Sequence, residues 1–61
     1  MANLSAKELT AIEDQLGMEQ VLIKKLRSYA ELTTDPQLKT KCTQLADTHH
    51  QHYTTLLGHL N

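Results

Sequence analysis

Glu19, His49 and His52 are the side chains whose types and spacing could do chemistry in this chain of 61 residues. Histidines three residues apart share one face of a helix, so both can reach a single ion. Neutral imidazole is a good ligand for zinc or iron, and a carboxylate completes such a site. The same trio has two quieter readings. A Glu–His hydrogen-bonded pair can fix the register of two helices, a use attested for buried polar residues. Alternatively, all three groups reach the edge of the fold and meet water. A buried carboxylate costs about several kcal/mol unless it is paired or coordinated, so an interior Glu19 requires one of the first two.

The elements that must hold these groups are two long helices. Ser5 and Glu8 have the S-x-x-E spacing of a capping box, with Leu4 and Leu9 placed as a hydrophobic staple. Apolar residues then recur at Leu9, Ile12, Leu16, Ile23, Leu26 and Ala30, the three-four spacing of a helix packed on another helix, and Glu19 falls on that seam. This predicts a first helix over about 6–32. Asp35 is a good N-cap and Pro36 a good first helical residue. The second seam is expected at Leu38, Cys42, Leu45, His49, His52, Leu56 and Leu60 or His59, which predicts a helix over about 36–57. Gly58 is placed for fraying or a C-cap. A short link between two long helices makes an antiparallel hairpin. With the turn centred on Thr34, facing residues are level when their numbers sum to about 68. Glu19 then faces His49 and Leu16 faces His52, so three polar groups arrive at one height.

Two helices pressed together bury one stripe each, and this chain carries a second. Met18, Leu22 and Tyr29, with Val21 at the edge, lie beside the first seam; Ala46, Tyr53 and Leu57 lie beside the second. A chain this short is marginal alone, and its single cysteine, Cys42, excludes an internal disulfide. The economical remedy is a second copy, giving a homodimeric four-helix bundle with those six residues at its interface. In such a dimer up to two Glu and four His could line a central site. An adaptor that docks a helix of another protein on Met18, Leu22, Tyr29 and Tyr53 is a further alternative.

The remaining candidates offer less. His50 points about 100° away from His49 around the helix, and His59 sits in the last turn, where a protonated imidazole suits the helix dipole. Asp47 and His50 form an exposed i, i+3 pair on the outer side. Cys42 lies roughly 10 Å along the axis from His49, too far to share an ion, and reads as a small buried hydrophobe. Gly17 either permits a close approach, leaves room for a ligand, or is simply tolerated at a cost of about 1 kcal/mol. Ser5 and Ser28 have no seam histidine at their level, no nucleophile–base set is visible, and the chain is expected not to be an enzyme. Six basic and seven acidic side chains give a net charge of −1, a poor match to nucleic acid; Lys24, Lys25 and Arg27 form an ordinary solvated face. The longest apolar run, Val21 to Ile23, spans no membrane. Without a charged n-region followed by an apolar h-region, the expectation is an intracellular product.

The run from Leu9 to Leu60, with its D-P-Q-L-K turn and the helix C-T-Q-L-A-D-T-H-H-Q-H-Y-T-T-L-L, resembles the short spore coat protein F-like proteins of endospore-forming Firmicutes. The likeness covers nearly the whole chain, so a single domain over 1–61 is expected. The resemblance implies half of a ferritin-like bundle, an association with sporulation, a structural role in the spore coat and other coat proteins as neighbours. Ferritin-like metal proteins supply one Glu from each of two helices and a Glu-x-x-His from each of the other two. Glu19 and His49 match the lone Glu and the His, but Ala46 stands where the second carboxylate belongs. That departure argues against a di-iron oxidase and for a reduced His-rich site or a vestigial one.

Overall fold

The computed structural model describes residues 4–60, which form two α-helices and, among the described residues, no strand. The single domain expected over 1–61 includes residues 1–3 and 61, which lie outside the described residues. Helix α1 runs Ala6–Leu32 and α2 runs Pro36–Gly58, so the starting residues of both match those the capping signals predict. At the head of α1 the Glu8 N–H donates to Ser5 Oγ and the Ser5 N–H to Glu8 Oε1, each at 3.0 Å. That reciprocal pair satisfies two donors that helix geometry would leave unpaired. The Ser5 backbone bond, followed by the Ser5 hydroxyl, holds the Glu8 carboxyl below its ordinary pKa.

The turn uses the chemistry of Thr33, Asp35 and Pro36. The Thr33 N–H caps α1 by donating to the Tyr29 carbonyl at 3.0 Å, and the Asp35 N–H donates to Thr33 Oγ1. Asp35 Oδ1 then accepts from the N–H groups of Gln37 at 2.9 Å and Leu38 at 3.3 Å. Pro36 supplies no N–H at a position that needs none. At the far end α2 stops at Gly58 without a left-handed cap: among the described residues none has a positive φ, and His59 is right-handed, with its N–H donating to the carbonyls of Leu56 and Leu57.

The hairpin is antiparallel, since residues ascending α1 meet residues descending α2. Glu19 pairs with His49 and Arg27 with Asp47. The molecule measures 46 × 15 × 11 Å, so its least dimension is about one helix diameter. Its radius of gyration, 14.3 Å, exceeds the roughly 10.5 Å of a compact chain of this length. The core is correspondingly thin: among the described residues Ala30, Cys42 and Ala46 are the buried apolar ones, and no large side chain is fully buried. Cys42 is free and buried, as a small hydrophobe would be.

The seam of α1 is the expected one, through Ile12, Leu16, Glu19, Ile23, Leu26 and Ala30, although Leu9 stays exposed. The seam of α2 is rotated from the expected one. It runs through Cys42, Ala46, His49, Tyr53 and Leu56, and Leu38, Leu45 and His52 are exposed at its edge. Ala46 is 0% exposed, so it belongs to the hairpin's own core and offers nothing to a second chain. Tyr53 is half-buried and accepts a hydrogen bond from Gln20 Nε2 at its hydroxyl, at 3.1 Å. Both were expected at a dimer interface. The reason is steric: Cys42 and Ala46 stand level with Leu26 and Ile23, and large side chains of α1 close over small residues of α2.

Candidate metal centre

At 100° per residue, each helix has two flanks beside its seam, and the cross-hairpin bonds fix how they combine. Gln20–Tyr53 and Arg27–Asp47 join one flank of α1 to one flank of α2. The opposite flanks bring Met18, Leu22 and Tyr29 of α1 beside Leu38, Leu45 and His52 of α2. All six of these side chains are exposed. Leu57 projects from the other side of the hairpin, the side of Tyr53. The six residues expected at one interface are therefore divided among the core, one face and its opposite.

Glu19, His49 and His52 do come together. Glu19, at the centre of α1, is only 6% exposed. Its Oε2 accepts from His49 Nδ1 at 3.0 Å, with Oε1 at 3.4 Å from the same nitrogen. Gln15, one turn earlier, donates its Nε2 to Oε1 at 3.2 Å. His52 Nδ1 lies 3.8 Å from Oε2, beyond a hydrogen bond. The two imidazoles meet edge to face, with centroids 5.3 Å apart. Both carboxylate oxygens are thus supported, and among the described residues no buried side-chain nitrogen or oxygen lacks a hydrogen-bond partner.

Depth falls off in order. Glu19 is interior, the His49 side chain is 25% exposed and that of His52 59%. His52 is therefore a lip residue, not the core residue expected of it, because the rotated seam of α2 gives its place to Tyr53. One ligand atom from each of the three residues lies within 4.8 Å of the others. A tetrahedral zinc with bonds of about 2.0–2.1 Å separates its ligand atoms by about 3.3 Å. The separations of 3.0 and 3.8 Å about Oε2 bracket that value. The arrangement can therefore do either of two things: hold two helices in register through a buried acid–imidazole bond, or close on a divalent cation.

Gln15 is the member that sequence reasoning missed; its i, i+4 relation to Glu19 is the signal that reveals it. The other titratable residues do not join the trio. Asp47 is committed to Arg27 at 3.3 Å on the surface, and His50 lines a groove with Gly17, Gln20, Val21, Ile23, Lys24 and Tyr53 on the opposite flank. A side-chain carbon at Gly17 would meet nothing within 4 Å, so no close approach inside the hairpin requires glycine there. Among the described residues, no helix is long and apolar enough to cross a membrane. No protein-family description, curated protein or solved structure matches this chain.

Proposed function

We propose that the chain is a non-enzymatic assembly module, a half-bundle that pairs with a second copy of itself into a four-helix bundle. The observation that carries this reading is the face formed by Leu22, Tyr29, Leu38 and Leu45, large apolar side chains left open to solvent on one side of a one-layer hairpin. The area argues for a second copy as the occupant. A compact monomer of 6.9 kDa exposes about 4,000 Å², whereas the hairpin exposes 4763 Å². The surplus, roughly 760 Å², is close to the 800 Å² or so that each partner contributes to a stable interface. Sedimentation equilibrium in EDTA tests this directly. The expected particle has twice the 6.9 kDa chain mass, and Leu45→Asp returns it to one chain while keeping its helical circular dichroism. Wild type that stays monomeric at high micromolar concentration refutes the pairing and leaves the adaptor reading, in which a helix of another protein covers the same face.

On the coat F-like resemblance, the proposed setting for this assembly is the spore coat. Detection of the chain only outside the coat fraction of purified spores would count against that setting.

A second reading, metal binding, is favoured by the convergence of Glu19, His49 and His52 on one point. It is compatible with the first, because the trio lies beside the apolar face.

A further inference from the structure

His52 connects the two readings. It belongs to the Glu19 cluster, with its Nδ1 3.8 Å from the carboxylate, yet it stands exposed on the flank that also carries Leu22, Tyr29, Leu38 and Leu45. A group on that flank is covered when the apolar face is covered.

The apolar residues also say how a second copy would lie. By the level rule Leu22 stands beside Leu45 and Tyr29 beside Leu38, so the two helices carry matched apolar pairs at the same heights. A two-fold axis along the length of the hairpin lays α1 of each copy over α2 of the other at the same heights. Leu22 then meets Leu45 and Tyr29 meets Leu38 across the interface, and each contact occurs twice, as an isologous pairing requires. An axis across the width through the hairpin's midpoint, which keeps the full lengths overlapped, would instead set these apolar residues against the half of the face that holds Gln15 and Ala11.

That axis has a consequence for the cluster. Glu19 reaches in from one helix and the imidazoles from the other, so their meeting point is midway across the hairpin, where the axis runs. The clusters of the two copies then confront each other at one height, with helix axes about 8–10 Å apart. Each cluster offers three ligands, one fewer than a closed tetrahedral site needs.

Resting on the pairing proposed above, we infer that Glu19, His49 and His52 of one copy, with His52 of the second copy as fourth ligand, form a divalent-cation site of the zinc or ferrous class that holds one ion per pair of chains, so that metal loading and pairing drive one another. Linkage makes this reciprocal: whatever factor the cation adds to pairing, pairing adds to cation affinity. Couplings of this kind are typically about 5- to 150-fold. The ion also takes over the role of the His49 N–H in compensating the buried carboxylate.

The experiment is sedimentation equilibrium of the untagged chain in EDTA and in zinc chloride, with zinc binding measured by calorimetry below and above the pairing concentration. The expected result is a dimer in EDTA that tightens at least about fivefold in zinc, one zinc per pair of chains, and higher zinc affinity for the dimer. His52→Ala, a change at an exposed position, should still pair in EDTA but lose the zinc effect. A dimer indifferent to zinc overturns this inference and leaves the half-bundle standing. A monomer that binds zinc without pairing overturns both, as does a monomer that ignores zinc. A zinc effect that survives in His52→Ala overturns the assignment of the fourth ligand.

Discussion

Glu19 and His49 form a part-buried polar pair across the hairpin, and a double-mutant cycle measures how strongly they are coupled. Glu19→Ala removes a charge-assisted hydrogen bond worth about 1.5–3 kcal/mol from a carboxylate that is 6% exposed. It also removes about one buried methylene, or about 0.8 kcal/mol. The expected loss is therefore about 2–4 kcal/mol. A domain of this length has only about 3–9 kcal/mol in total, so a large share of the stability is at stake. His49→Ala should cost at least as much, because it leaves a carboxylate buried with Gln15 as its remaining partner. The double alanine variant should recover about 1.5–3 kcal/mol relative to the sum of the two single losses. Replacing both residues with leucine removes the desolvation cost along with the bond, and that variant should be at least as stable as the parent. Urea unfolding followed by circular dichroism reads all of these, in EDTA and at one chain concentration, since self-association adds to apparent stability. Single losses that add to within about 0.5 kcal/mol would show that the two side chains do not act as a pair and would refute the geometry assigned to them.

Other expectations concern the frame around that pair. Ser5→Ala should cost about 1 kcal/mol by chemical denaturation, since it dismantles the capping box. Glu8 contributes with a definite sign: its carboxyl is held below the ordinary value in the folded chain, so its contribution is complete above the unfolded carboxylate pKa. That contribution is lost as pH falls through the folded value. An acid titration of stability should therefore show a smaller decline in Glu8→Gln than in the parent. Gly17→Ala should stabilise the chain by about 1 kcal/mol, since the added carbon meets nothing, and should leave pairing unchanged, because Gly17 lies away from the proposed face. Arg27→Ala should shift stability by less than about 1 kcal/mol, since both members of its ion pair are largely exposed, and 1 M salt should shrink even that.

Local chemistry made most of the fold legible. The S-x-x-E box and the Asp35–Pro36 pair state where each helix starts, and a three-residue link leaves the hairpin no alternative arrangement. Counting levels from Thr34 brought Glu19 to His49 correctly, because height along a hairpin depends only on helical rise. Rotation about the helix axis was harder. Three-four spacing through Cys42, His49 and Leu56 admits either Leu45 and His52 or Ala46 and Tyr53 as the intervening residues. Size favours leucine in a pattern reading, but small residues allow helices to approach, and Cys42 and Ala46 take the interior. That single choice moved Ala46 and Tyr53 inward, sent Leu38, Leu45 and His52 to the surface and redrew the apolar face. Gln15 escaped notice for a related reason, since a glutamine one turn from a glutamate has many neutral explanations until the carboxylate is known to be interior.

Isotope-filtered NMR on a mixture of ¹³C-labelled and unlabelled chains would show whether two copies meet on the flank bearing Leu22 and Leu45, as proposed. Leu22 methyls of one copy should show intermolecular contacts to Leu45 methyls of the other, with Tyr29 ring protons contacting Leu38. Intermolecular contacts confined to Leu9 and Leu57 on the opposite flank, or none at all at concentrations where pairing is expected, would contradict the proposal.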